Sequence, residues 1–231
     1  MVARSSVTPE AGALRRIQLF AELDPDTLET IRGQMRVRVV EPGAEIIAAE
    51  DTEPGEVFFL LSGRAQVALT SPEGKFLRLH EVGPGEVLGD IAVIDGAARS
   101  AGVESLATCR LAVMDGAAFL RMVTTIPEVC LAMLRFMAAR TRRQNARAFE
   151  SVTLDAPRRI AAELLRLAEA GGGVIDPAPK QGDIAATIGA RRETVSRLIA
   201  KLTREGVLEK QGAAIRADLA ALARRAAPAA D

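Results

Sequence analysis

Two clusters of residues in this 231-residue chain are of types and spacings that could do chemistry. The first is Ile188-Gly-Ala-Arg-Arg-Glu-Thr-Val-Ser-Arg197 and the helical run that follows it, Arg191 to Arg204. Laid out at about 100° per residue, Arg192, Glu193, Ser196 and Arg197 share one arc, and Val195, Leu198, Ile199 and Leu202 share the opposite one. An arginine fork can donate two hydrogen bonds to guanine O6 and N7, and a glutamate can accept from cytosine N4. A solvated helix with a mixed-charge face has the same pattern, so the flanking residues decide between the two. Before it, Asp183 to Ile188 reads as a short helix closed by a tight Gly189-Ala190 turn; after it, Val207-Leu-Glu-Lys210, Gln211-Gly212 and Ala213-Ala-Ile215 read as a β-hairpin. Two helices about a glycine turn, followed by a wing, favour base reading by the N-terminal end of the second helix. Arg191 stands at its start and Lys201 farther along, cations suited to DNA as well.

The second cluster is Gly85-Glu-Val-Leu-Gly-Asp-Ile-Ala-Val-Ile-Asp-Gly-Ala-Ala-Arg-Ser-Ala101. Gly89 lets the backbone turn tightly into a short helix opening with Asp90 and Ile91, whose free N–H groups can face a phosphate. Arg99 supplies a fixed cation and a fork of donors for the same phosphate, Ser100 a hydroxyl, and Asp90 an acceptor for a sugar hydroxyl.

Elsewhere the chain is poor in reactive groups. Cys109 and Cys130 lie in apolar surroundings far from any metal-ligand spacing and read as inert buried thiols. His80, the single histidine, follows an apolar-polar run and reads as an ordinary strand residue. One histidine builds neither a metal site nor a haem site, so no metal or haem is expected. There is no nucleophile–base pair, metal cluster or Walker-type loop, which argues against an enzyme.

The elements that must position these clusters can be read in order. Residues 11–34 form short helices, with Asp24-Pro25 as N-cap and first-turn proline. From Met35 to Val113 short β-type runs (37–40, 57–61, 65–69, 110–113) alternate with turns at 41–43, 62–63, Pro72-Glu-Gly74, 83–85 and 95–96, which predicts an all-β barrel or roll. A long helix follows from about Pro127 to Ser151. Cys130, Leu134, Met137, Thr141, Gln144 and Ala148 form a heptad seam along it, the signature of helix pairing. The alternative, a helix lying on its own domain's core, is disfavoured by Arg140, Arg142, Arg143 and Arg147. Leu154-Asp155-Ala156-Pro157 reads as the linker and hinge, Asp155 capping a helix that ends at Gly171-Gly-Gly173.

The fold class is therefore α+β, with a β-roll sensor domain at 11–126, a dimerisation helix at 127–153 and a winged helix-turn-helix domain at 154–231. No apolar run approaches the roughly 18 residues of a membrane span and Met1 to Glu10 carry no secretory h-region, so no membrane association and a cytoplasmic location are expected. Net charge is zero, but from Asp155 onward 13 Lys/Arg stand against 10 Asp/Glu, a sign that suits a DNA-facing C-terminal domain.

The run 188–197 with its glycine-turn wing resembles the DNA-binding domain of the cyclic-AMP receptor protein/FNR family. By that resemblance Arg192, Glu193 and Arg197 fall on base-contacting positions. Ser196 matches the serine of the FNR branch, and Arg192 favours the receptor-protein branch with its TGTGA-type half-sites. The likeness extends from about Phe20 to the wing, and 85–101 is similar to the phosphate-binding cassette of cyclic-nucleotide-binding domains. It implies a homodimer on double-stranded, inverted-repeat operator DNA, with RNA polymerase as a further partner and a cyclic nucleotide, cAMP or cGMP, as effector. Two departures bear on the effector. Asp90 replaces the usual glutamate, and Gln144 and Asn145 replace a Thr-Ser pair at the positions expected to touch the base; both amides still donate and accept. A regulator of the same family that needs no ligand, with a vestigial pocket, is the alternative.

Overall fold

The computed structural model describes residues 7–49, 51–52, 55–70 and 76–227. The chain divides into two compact units, Met1–Thr141 and Arg142–Asp231, which part inside one long helix.

The first unit opens with α1 (Ala11–Leu14) and α2 (Pro25–Arg32). Asp24 caps α2 as expected, its Oδ1 accepting from the N–H groups of Asp26 (3.1 Å) and Thr27 (2.9 Å). Eight strands follow: β1 (Met35–Val40), β2 (Glu45–Ile47), β3 (Glu56–Ser62), β4 (Ala65–Thr70), β5 (Phe76–Val82), β6 (Val87–Leu88), β7 (Gly102–Ser105) and β8 (Cys109–Asp115), with α3 (Asp90–Asp95) between β6 and β7. They form two antiparallel sheets, ordered β1-β8-β3-β6 and β2-β7-β4-β5. This is the expected roll. The turn expected at 72–74 lies outside the described residues.

The apolar run of β3 shows how the layers stack. Val57 to Leu61 are all buried because both faces of this strand are covered. Phe58 and Leu60 join Val67, Val103, Leu111 and Val113 in a core shared by the two sheets. Val57 and Phe59 face the other way, into a second core with Leu14, Phe20, Ile31 and Phe119. Phe59 stands 5.1 Å from the Phe20 ring and 6.3 Å from Phe119, within the range of favourable aromatic pairs.

That second core also takes α4 (Gly116–Thr125), capped by Asp115, and the start of α5 (Pro127–Thr153). Val129 and Met133 are buried in it, with Phe136 and Met137 packed against it. The first half of α5 thus does lie on its own domain's core, which the arginine content had argued against. Arg140 avoids the apolar layer by facing the polar cleft described below. Cys130 is half-buried on the same helix, whereas Cys109 is fully buried in β8, where burial pushes its thiol up. His80 is on β5 opposite Val67, as a strand residue.

The second unit holds the end of α5, then α6 (Ala156–Ala170), β9 (Val174–Ile175), α7 (Gln181–Ile188), α8 (Arg192–Arg204), β10 (Leu208–Gln211), β11 (Ala214–Ala217) and α9 (Leu219–Ala226). Asp155 caps α6 through the N–H of Arg158 at 3.0 Å. Ile160, Leu164, Val195, Leu202, Leu208 and Leu222 centre one core from four helices and the wing. Strand β9 carries no strong local signal, whereas α9 is capped by Asp218, which accepts from the Ala221 N–H at 2.9 Å, and buries Leu222. Two residues make β9, and its identity comes from pairing with β11.

Candidate effector cleft and DNA-reading face

Gly89 has φ 78° and ψ 6°, the left-handed region, and turns β6 directly into α3. A Cβ there would stand 2.6 Å from Arg99 Nη1 and 3.2 Å from the Glu56 carbonyl oxygen. The positive φ favours glycine, and a Cβ would also push the Arg99 guanidinium aside and crowd the Glu56 carbonyl.

Arg99 is 7% exposed, and its backbone N–H donates to the Asp51 carbonyl at 2.9 Å. Its guanidinium donates from Nη1 to the Gly89 carbonyl at 2.7 Å and from Nη2 to the Glu56 carbonyl at 2.8 Å. Its Nε is buried and has no hydrogen-bond partner among the described residues. Burial lowers the basicity of the group, opposed by the nearby carboxylates of Asp51, Glu56 and Asp90. Glu56 itself is engaged outward by Arg36 and by Arg38 at 2.6 Å.

Asp90 is 1% exposed and faces Arg140, whose Nη1 lies 3.2 Å from Oδ2 and 3.4 Å from Oδ1. Burial pushes the Asp90 carboxyl above its usual range while Arg140 pulls the other way. Gly89, Asp90, Ile91, Arg99 and Ser100 therefore come together as the sequence expects. They line a cleft of about 340 Å³, open mouth included, whose apolar wall is Ile47, Val67, Leu88 and Val103.

Arg140 is the lining residue that sequence reasoning missed. A buried carboxylate demands a cation, and that demand was the available signal. Fifty residues separate the two groups, so spacing could not name the partner. Gln144 and Asn145 lie farther along α5, both exposed, in the second unit. Among the described residues, no cluster of His, Cys, Asp or Glu could hold a metal ion, and no single helix is long and apolar enough to cross a membrane.

In the second unit α7 and α8 are joined through Gly189, at φ 63° and ψ 43°. The Ala190 N–H donates to the Ala185 carbonyl at 3.0 Å, closing the turn. Helix α8 buries Val195, Ile199 and Leu202 and half-buries Leu198. Arg192, Glu193 and Arg197 are exposed on its other side and Ser196 is half-buried. Arg191 is the N-cap residue, extended and exposed, so the helix starts one residue later than expected. Lys201 is exposed, with Nζ 4.0 Å from Glu205, which also pairs with Arg225 of α9. The wing is present, β10 pairing with β11 from Leu208↔Ala217 to Gln211↔Ala214 around Gly212. Three arginines against one glutamate give the N-terminal end of α8 a positive field suited to phosphate, with forked donors for base edges.

Comparison with known proteins bears on both sites. Residues 37–125 match the cyclic nucleotide-binding domain, and residues 158–225 match the Crp-like helix-turn-helix domain. The chain belongs to the CRP/FNR family of transcription regulators. These are DNA-binding proteins rather than enzymes. The CRP-like cAMP-activated global transcriptional regulator of Mycobacterium tuberculosis is 28% identical over 221 residues, covering 92% of this chain and 98% of that one. The cyclic AMP receptor protein of Thermus thermophilus is 27% identical over 191 residues, covering 82% and 87%. Among solved structures, FixK2 from Bradyrhizobium japonicum superposes with a TM-score of 0.76 at 18% identity, over 85% of this chain and 99% of that one. At that identity the likeness speaks for the fold alone.

Proposed function

We propose that this family member is a homodimeric, cytoplasmic regulator that reads inverted-repeat operator DNA with α8 and whose DNA affinity is set by cAMP or cGMP in the cleft of the first unit. The observation that carries the effector part is the buried Arg99 Nε, without a partner among the described residues, in a cleft whose floor is the N-terminal end of α3. An unsatisfied buried N–H is costly, and an anionic oxygen entering the cleft relieves it. The residues fit a cyclic phosphate. Arg99, Ser100 and the first N–H groups of α3 would hold the phosphate, and Asp90, kept in place by Arg140, would accept from the ribose hydroxyl. By the family resemblance, Gln144 and Asn145 are the candidates for contact with the base. The mycobacterial relative, described as cAMP-activated, supports the same reading.

The dimer part rests on α5. Leu131, Leu134, Ala138, Thr141, Asn145, Ala148 and Val152 are all exposed, and their steps alternate three and four. This heptad seam is rotated from the one read in the sequence, because Met137 turns inward to its own core. Arg191, Arg192, Glu193, Ser196 and Arg197 would then meet two half-sites about one helical turn apart. Lys201 would touch phosphate, and RNA polymerase is the further partner.

One observation favours the ligand-free alternative. Both terminal nitrogens of Arg99 already have carbonyl partners, so the cleft is largely self-satisfied. Calorimetric titration of the purified protein with cAMP and cGMP, paired with DNA selection from a random library, decides. Binding of either nucleotide and recovery of an inverted repeat support the proposal. No heat with either nucleotide leaves the ligand-independent regulator, and a direct repeat removes the dimer reading.

A further inference from the structure

Behind Arg99 stands a fixed layer of charge. Glu56 opens β3, and its backbone carbonyl accepts from Arg99 Nη2 at 2.8 Å. Its two carboxylate oxygens serve two arginines of β1, Oε1 accepting from Arg36 Nη2 and Oε2 from Arg38 Nη2 at 2.6 Å. Strand β8 lies between β1 and β3, with Arg36 opposite Val113 and Arg38 opposite Leu111. Both arginines therefore cross a strand to reach the glutamate. The Arg38 guanidinium also lies over the Phe58 ring, 5.1 Å from its centroid, a contact that helps to hold it there.

The charge of Glu56 reaches the cleft. Burial pushes its carboxyl up, but the two arginines outweigh burial, hold the group below its ordinary range and keep it ionised. With Asp51 and Asp90 it is one of three carboxylates that act on the Arg99 charge. Among the described residues of this network, Arg36, Arg38, Arg99 and Arg140 stand against those three, an excess of one positive charge. A phosphodiester carries one negative charge, whereas a phosphate monoester carries close to two at neutral pH.

We infer that Glu56 is a specificity-determining residue of the cleft. Its carbonyl holds Arg99 while its carboxylate cancels one of the two cations on β1, leaving a field matched to a monoanionic phosphodiester and poor for a dianionic monoester. This rests on the reading of the cleft as a cyclic-nucleotide site. A mere structural staple behaves differently, because losing it loosens Arg99 and weakens every phosphate ligand alike.

Calorimetric titration of the full-length protein with cAMP, and with 5′-AMP alone and in competition with cAMP, tests it. The proteins are the wild type, Glu56→Gln, Arg36→Gln and the double variant. Glu56→Gln keeps the backbone carbonyl and the side-chain length and removes the charge. It is expected to tighten both ligands, 5′-AMP more than cAMP, so that the preference for cAMP narrows by about fivefold, the scale of one unit charge in a partly solvated site. Arg36→Gln removes the more exposed of the two β1 cations and should widen the preference by a similar factor. The double variant restores the net charge and should return the preference to the wild-type value. Melting temperatures show that each variant is folded, and if Glu56→Gln does not fold, the direction of the change in Arg36→Gln decides. Equal weakening of both ligands in Glu56→Gln, or a preference that no variant moves, overturns the inference and leaves the effector reading standing. A wild-type protein that binds neither nucleotide overturns both.

Discussion

Arg99 has a structural duty that can be measured without any ligand. Arg99→Ala removes two charge-assisted hydrogen bonds, at 2.7 and 2.8 Å, from the carbonyls of Gly89 and Glu56. Bonds of this kind are each worth about 1.5–3 kcal/mol net. Burying a guanidinium with its Nε unsatisfied offsets part of that sum. A net loss of about 2–3 kcal/mol remains, which for a chain of this length lowers the melting temperature by roughly 4–12 °C. Arg99→Lys should fall between the two, since a single ammonium cannot serve as the planar fork does. Thermal denaturation followed by circular dichroism, without nucleotide, reads all three proteins. If Arg99→Ala melts at or above the wild-type temperature, the two carbonyl bonds contribute nothing and the reasoning fails.

Arg192→Ala should cost about 1–3 kcal/mol at its guanine and relax specificity at that base pair alone; equal weakening on every sequence in a competition assay would make Arg192 a phosphate contact instead. Leu134, 59% exposed on the α5 seam, should be intolerant of charge, so Leu134→Glu is expected to yield a monomer in light scattering, and a persisting dimer would move the interface elsewhere. Burial holds the Asp90 carboxyl above its ordinary value of 3.8. Its contribution to stability is therefore full below that value and lost as pH rises through the folded-state value. Asp90→Asn should accordingly raise the melting temperature at neutral pH, the gain shrinking toward acid; a gain that grows on acidification would reverse the sign assigned here.

The reading face was legible in the sequence because its logic is local. The periodicity that buries Val195, Ile199 and Leu202 exposes Arg192, Glu193 and Arg197 on the same helix, and the Gly189 and Gly212 turns announce themselves. The cassette was legible for the same reason, since Gly89 and Arg99 lie ten residues apart around one short helix. The rotation of α5 was not. The seams through Met137 and through Ala138 both satisfy a heptad, and only packing against the core of the first unit decides that Met137 turns inward.

By itself the sequence determined what short-range chemistry decides. Caps at Asp24, Asp115 and Asp155, the turn glycines, the strand and helix periods, and the identities of the groups that can meet phosphate and base edges belong to it. The tertiary structure alone decided which charges find one another. Arg140 reaches Asp90 across fifty residues, the Glu56 carbonyl meets Arg99 across forty-three, and Arg166 bridges Glu150 and Glu163 from two helices. A charge pair depends on where two distant backbones come to rest, and a long arginine side chain can reach many of the places a sequence allows. Only the closed sheets and packed helices leave it one.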